Sequence, residues 1–385
     1  MLRTRIAPIG LGLSLAATLA LVASRAPAQN TAAPVKNTAT PAKTTGAAKP
    51  WVAPGTPGSP IDGTVFHAQV LLDLAGFPTG VIDGKKGMVF QQALRGFQQA
   101  RGLQATGELD GPTRAALRQD QRPSTRNFRL TERDIGGPFL YPFPKAPEDQ
   151  AKAPGLYYRN MLEKLAERFH TTPDTIVALN GPDKMIGAGQ VLRLPNILPR
   201  SRDYGQVDAK QGDLLNLYQV DAQQPQGTFI VVDKSEGVLK VYEGQVPEGA
   251  YSTEKNRGTP PKLGENPGKL LAQFPVTMGS THDPLPLGKW KATTYAFMPP
   301  FHYQPDLFWD AKDKTADDKM LPPGPNGPVG VAWLDLTKEH YGIHGTAAPE
   351  TIGRAESHGC IRMSNWDVTR LARIMKPGFT AIFQA

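Results

Sequence analysis

Large apolar side chains are almost absent between residues 29 and 60 and sparse again over 121–153, and the blocks between these gaps differ in periodicity. The 385 residues therefore divide into successive units rather than one repeat of a single pattern. Residues 1–28 read as a secretory signal. Arg3 and Arg5 give a positive start, an apolar run extends from about Ile9 to Ala23, and Ala26-Pro27-Ala28 is a small-x-small cleavage site. The mature chain is expected to begin near Gln29. The apolar run is shorter than the roughly 20 residues that span a bilayer, so cleavage is expected over retention as an anchor. No stable membrane span is expected afterwards. Residues 29–60 are rich in Ala, Pro, Thr, Lys and Gly. They cannot bury enough surface to offset their ordering entropy, and are expected to form a disordered linker.

Residues 61–120 are expected to form a small three-helix domain. Phe66, Val70, Leu71 and Leu74 repeat at helical spacing, and Val89, Phe90, Leu94 and Phe97 make a second stripe. A third short helix can start at Thr113. This segment resembles the three-helix peptidoglycan-binding domain. The resemblance is carried by Val81-Ile82-Asp83-Gly84, Ala93-Leu94-Arg95-Gly96-Phe97-Gln98, Gly102-Leu103 and Thr106-Gly107. Residues 121–153 and 198–225 are expected to be linkers.

Between them, residues 154–197 suggest a small α+β unit. Leu162, Leu165, Ala166 and Phe169 give one helical stripe, and Thr172-Pro173-Asp174 restarts a helix as cap and first turn. Val191 to Pro195 reads as a strand. The unit resembles a LysM domain at Leu165-Ala166, Phe169, Thr172, Leu179-Asn180 and Gly189 to Pro195. It departs from that family at the start, where Tyr158-Arg159-Asn160-Met161-Leu162 replaces the usual Gly-Asp-Thr-Leu.

From about residue 226 to 385 the pattern becomes strand-like. Thr228 to Val232 is an apolar run, and Val238 to Tyr242 alternates after a Ser235-Glu236-Gly237 turn. Further strands are expected at Leu270–Met278, Trp290–Tyr295, Val329–Leu334 and Thr380–Phe383. One helix is expected after Ser364, with Asp367 completing a capping box and Val368, Leu371, Ile374 and Met375 as its buried face. The expected class is mostly β, a sandwich or closed sheet with one packed helix.

The chain holds one cysteine, Cys360, two residues after His358 and sixteen after His344. Exported proteins usually pair their cysteines, so a single thiol beside histidine and glycine is a candidate nucleophile. Thiol acyl transfer needs a thiolate, hence a base or cation near sulfur. It also needs a partner that orients the base and backbone amides aimed at the developing oxyanion. His344 and His358 are the two possible bases. Gly345 can orient an imidazole by its carbonyl, and the amides of Gly359 and Cys360 can form the oxyanion pocket.

These residues carry a resemblance to the L,D-transpeptidase catalytic domain of the YkuD type. The matching positions are His344-Gly345-Thr346, Ile352-Gly353, Ser357-His358-Gly359-Cys360-Ile361-Arg362-Met363 and Asp367. Pro284 to Trp290 and Pro322 to Trp333 also look like members of that family. The resemblance implies that Cys360 attacks the L-to-D bond of a peptidoglycan tetrapeptide stem and releases the terminal D-alanine. It implies His344 as general base, His358 in support, and Arg362 and Ser357 in substrate binding. The thioester then passes to an amine, on a neighbouring stem or on a wall-anchored protein. Water as acceptor would make the chain an L,D-carboxypeptidase, and a vestigial domain would leave a wall-binding protein.

No cofactor is expected, and no metal, because the spacing of His344, His358 and Cys360 fits no usual zinc site. His67, His170, His282, His302 and His340 show no partners in the sequence. The formal charge of +8 falls to +5 without Arg3, Arg5 and Arg25. That suits an anionic wall, and the scattered charges argue against nucleic acid. A periplasmic or wall-associated location is expected. If both binding units hang on flexible linkers, deleting 61–197 should spare turnover on soluble stems and reduce it on intact wall.

Overall fold

The apolar run beginning at Phe229 has every side chain buried, because both faces of its strand are covered. In a computed structural model this strand lies inside a nine-stranded sheet. The residues described are 51–54, 56–246, 267–354, 357 and 359–385, so the signal segment and most of the first linker lie outside them. Among the described residues no helix is long and apolar enough to cross a membrane.

Three helices open the described chain: α1 (Gly63–Leu74), α2 (Met88–Ala100) and α3 (Gly111–Leu117). Asp62 caps α1 by accepting from the amides of Thr64 and Val65, and Asp110 caps α3 through the amide of Thr113. Next come β1 (Thr125–Arg129), α4 (Glu132–Ile135), α5 (Pro147–Gln150), α6 (Met161–Arg168), α7 (Pro173–Asn180), β2 (Val191–Pro195) and α8 (Ala209–Leu217).

The stretches expected as linkers are therefore structured. β1 pairs antiparallel with β2 from Thr125↔Pro195 to Arg129↔Val191. Its sequence, Thr-Arg-Asn-Phe-Arg, is polar and half exposed, so backbone pairing rather than apolar alternation makes the strand. Thr172 caps α7 by accepting from Thr175, as its sequence predicts. Leu214, Leu215 and Tyr218, on or just after α8, are buried in the main core.

The remaining elements are β3 (Phe229–Asp233), β4 (Val238–Glu243), β5 (Lys269–Pro275), β6 (Thr277–Met278), β7 (Gly288–Phe297), β8 (Phe301–Tyr303), β9 (Lys319–Leu321), β10 (Ala332–Leu336), β11 (Gly342–His344), β12 (Ile361–Arg362), α9 (Asn365–Ile374) and β13 (Thr380–Gln384). The sheet order is β5-β4-β3-β13-β7-β10-β11-β12-β6, and β8 and β9 form a separate hairpin. β7 pairs with β13 near its start and with β10 near its end, so it joins two half-sheets. Two helices pack here instead of the one expected, since α8 lies against α9 and contributes to the same core.

The alternation of β3 decides how the units meet. Ile230 and Val232 face the main core with Leu239, Phe274 and Trp366. Phe229 and Val231 face the other way, into a cluster shared with Leu71, Phe77, Phe90 and Phe97 of the three-helix unit. The helices of residues 61–120 thus cover one face of the sheet. Gln273 ties the two backbones, donating its amide N–H to Gly76 O (3.0 Å) and its side chain to Gln92 O (2.8 Å).

A buried charge cluster sits at the junction. Arg370 of α9 donates to the Asp73 carbonyl (2.7 Å) and carboxylate (2.8 Å). His170 contacts the other Asp73 oxygen at 2.9 Å and Tyr218 O at 2.8 Å, and its ring stacks on Trp366. Burial alone would raise the Asp73 carboxyl. The charges of Arg370 and His170 outweigh it and hold that group well below the usual carboxylate range.

Candidate active site

The parallel pair β11–β12 builds the site. Ile343 is in register with Ile361 and His344 with Arg362, so Cys360 enters β12 one residue before the pairing begins. β6 closes the other edge, with Met278 opposite Ile361. The alignment brings the two ends of the sequence motif onto neighbouring strands across a sixteen-residue separation. The loop between them is held down locally. Met363 donates to His344 O at 2.8 Å. Ser357 donates its amide to Gly279 O and its hydroxyl to Cys360 O (2.8 Å). Ser357, expected at the substrate, is buried and has its hydroxyl committed to the cysteine loop. His358 lies outside the described residues.

His344 is 6% exposed, and its Nδ1 is 2.7 Å from Gly345 O. A carbonyl only accepts, so Nδ1 carries the proton and Nε2 keeps its lone pair. The ring stacks on Trp333 of β10, its register partner. Burial, then the charge of Arg362, pushes the imidazole down to about 4, against the Gly345 hydrogen bond.

Cys360 is half-buried, with Sγ 3.6 Å from His340 O. Burial pushes its thiol up to about 11. A backbone hydrogen bond from Gly342 and the Arg362 charge oppose that rise, and Asp283 adds to it. At neutral pH the pair is therefore a neutral thiol and a neutral imidazole. This differs from the thiolate that the motif suggests, because desolvation outweighs the nearby cation. Nor does a helix terminus offset it, since β12 separates Cys360 from α9. Ser364 caps that helix through the Asp367 amide, but neither Asp367 oxygen returns a bond among the described residues. The reciprocal half of the expected capping box is missing.

The Arg362 guanidinium has no ion pair or hydrogen bond among the described residues, and the residue is half-buried beside both reacting groups. Arg362→Met is expected to raise the Cys360 thiol further and to raise His344 as well, since the lost charge lowers both. The pH dependence of Cys360 alkylation reads this out, and an unmoved profile would show that the guanidinium is screened from sulfur.

Tyr341, Asp283 and the His340 carbonyl surround the nucleophile and carry no signal in the sequence. Only a pairing of Tyr341 with the glycine of the motif would have pointed to the first. Gly359 has φ +92°, and a Cβ there would come within 2.7 Å of the Tyr341 ring. Gly359→Ala is expected to cost about 1–2 kcal/mol from the left-handed backbone alone. A lower denaturation midpoint is the expected sign, and an unchanged one would mean the loop re-forms around alanine. Of the other histidines, His302 meets Asp318 (3.0 Å), His67 meets Arg122 O (3.0 Å) and His282 stacks on Trp309.

Residues 227–383 match the family described as "L,D-transpeptidase catalytic domain", and residues 62–117 match "Putative peptidoglycan binding domain". The "Putative L,D-transpeptidase YkuD" of Bacillus licheniformis is 59% identical over 56 residues, covering 14% of this chain and 34% of that protein. The "Probable L,D-transpeptidase YbiS" of Escherichia coli K12 is 27% identical over 194 residues, covering 48% and 60%. The chain thus spans about a third of the first relative's length. Among solved structures, L,D-transpeptidase 3 from Mycobacterium tuberculosis is 19% identical with a TM-score of 0.27, over 41% of this chain and 60% of that one. The sheet that carries His344 and Cys360 accordingly matches the L,D-transpeptidase catalytic domain, and the helices packed on its outer face match a peptidoglycan-binding domain.

Proposed function

We propose that the chain is an exported cysteine acyltransferase acting on peptidoglycan tetrapeptide stems. The observation that carries the reading is the His344 Nδ1–Gly345 O bond of 2.7 Å on the strand beside Cys360. It leaves Nε2 as the free base of the site. The resting pair is neutral, so the proton leaves sulfur for Nε2 as the C–S bond forms. The stem carbonyl before the terminal D-alanine becomes a tetrahedral oxyanion, held by the amides of Gly359 and Cys360. Collapse breaks the C–N bond, and the imidazolium returns its proton to the departing D-alanine amine. An acceptor amine then attacks the thioester, His344 takes its proton, and the Cys360 thiol is restored. Arg362 binds a stem carboxylate, His358 supports the cysteine loop, and no metal or cofactor enters any step.

Residues 62–117 bind the wall on this reading, and residues 1–28 direct export to the periplasm or cell wall. The α6–α7–β2 order supports a LysM-like unit over residues 154–197, with β1 pairing to β2 from outside it. Incubation of the mature protein with disaccharide-tetrapeptides, followed by mass spectrometry, tests the activity. Cross-linked dimers between third residues, with free D-alanine, are expected. Tripeptides alone would make water the acceptor, and unchanged stems would remove the enzyme reading.

A further inference from the structure

Outside the reacting groups, one buried carboxyl from another part of the chain reaches the start of α9, next to the glycine that orients the histidine. Glu167 lies on α6, is 4% exposed, and accepts from Tyr158 Oη (2.9 Å) and Tyr218 Oη (3.1 Å). Both its oxygens also accept from Asn365 Nδ2, at 3.1 Å each. Asn365 is the first residue of α9, and its Nδ2 donates to Pro325 O as well (3.0 Å). With Nδ2 committed to two acceptors, Oδ1 must point the other way. It accepts from the Val331 amide at 3.2 Å. A flipped amide would set donor against donor at Val331 and acceptor against carboxylate at Glu167.

The same Oδ1 lies where glycine is required on both sides. A Cβ on Gly330 would sit 2.1 Å from it, and one on Gly345 2.2 Å from it. The Gly330 position also abuts the Gly345 backbone, where a Cβ would come within 2.7 Å of Gly345 C. Gly345 supplies the carbonyl that holds His344 Nδ1. A continuous set of contacts therefore runs from Glu167 through Asn365 to the peptide that orients the imidazole.

We propose that Glu167, supplied by α6 from outside the catalytic domain, is a positioning residue that fixes the orientation of His344 through Asn365 and the Gly345 peptide. This rests on His344 being the base for Cys360. The segment around α6 is then part of the catalytic apparatus and not only a wall-binding unit. Its neighbour Glu163 is anchored to the same region, accepting from Asn326 at 3.3 Å. Burial, followed by lesser opposing hydrogen bonds from Asn365 and the two tyrosines, raises Glu167 to about 7. Near pH 7 the carboxyl is therefore only partly ionised, its charge fading as pH falls, but it keeps an acceptor oxygen for Asn365 in either protonation state.

The test uses the full mature chain and three variants. Glu167→Leu removes the acceptor, Glu167→Gln keeps one, and Asn365→Ala cuts the link while leaving the Glu167–tyrosine cluster whole. Acylation of Cys360 is followed by intact mass with a tetrapeptide stem. Glu167→Leu and Asn365→Ala are each expected to slow acylation up to about 10²-fold, the scale of a small misplacement of a catalytic group, with KM within about twofold. Their acidic pH limb should move to lower pH, because the Gly345 bond that stabilises the imidazolium is loosened. Glu167→Gln should recover most of the rate and the original limb. The double variant Glu167→Leu/Asn365→Ala should be no slower than the worse single variant by more than about twofold, since both break one chain.

If Glu167→Leu fails to fold, Asn365→Ala and Glu167→Gln still decide the matter. Wild-type rate and pH limb in folded Asn365→Ala would overturn the proposal. So would independent, multiplying losses in the double variant. If wild type forms no Cys360 adduct, the underlying acyl-transfer reading fails instead, and the two failures are distinguished by that control.

Discussion

Cys360→Ala is expected to leave the fold intact and remove turnover on tetrapeptide stems, a loss on the order of 10⁴-fold or more. The chain has no second thiol to take over. The substitution deletes one half-buried sulfur whose hydrogen bonds among the described residues are to backbone, so little packing is lost. Intact mass should show an acyl adduct on wild type and none on the variant. The companion substitution His344→Ala has a distinctive signature. With the thiol at about 11, only about one part in 10⁴ is ionised at pH 7. Without its base the enzyme must rely on that fraction. Its rate should therefore climb about tenfold per pH unit toward alkaline solution, while wild type levels off. Activity in Cys360→Ala, or a His344→Ala profile parallel to wild type, would end the thiol–imidazole account.

Deleting residues 61–197 is expected to abolish folding of the remainder, and with it turnover on soluble stems and intact wall alike. The sequence viewed as tethered modules leads to the opposite expectation for soluble stems. The difference lies in what the deletion uncovers. Phe229, Val231, Tyr242, Leu270 and Ile382 would lose their apolar partners, at about 1.5–3 kcal/mol for each fully buried side chain. Arg370 would lose its hydrogen-bonded carboxylate Asp73 inside the core and keep only the unbonded charges of Asp367 and Asp221, a defect of up to about 3–5 kcal/mol. A typical domain has only about 5–15 kcal/mol in reserve. Far-UV circular dichroism and the stem assay on the same preparation give the answer. A folded, active remainder would show that the interface is dispensable. The single substitution Arg370→Met probes the same junction more gently, with a lower denaturation midpoint expected.

Much of the local structure was legible in the residues. The helical stripe at Phe66, Val70 and Leu74 is α1, the alternation at Val238–Tyr242 is β4, and the Ser364 cap opens α9. These depend on neighbours a few positions apart. β1 and α8 were missed for a related reason, since polar β1 is stabilised by pairing with residues about 66 positions away. α8 occupies a stretch read as linker because its few apolar residues find their partners only in the assembled core. His170 shows the same limit, because its partner Asp73 is 97 residues distant.

The motif around Cys360 identified the candidate nucleophile and the histidine to look for, because residue type and order are local properties. The tertiary structure alone decided that burial leaves both groups neutral. It decided that Tyr341 closes over Gly359, and that the helical unit is welded to the sheet and not tethered to it. Desolvation and packing depend on what the rest of the chain removes from water around each atom, and no spacing along a sequence records that.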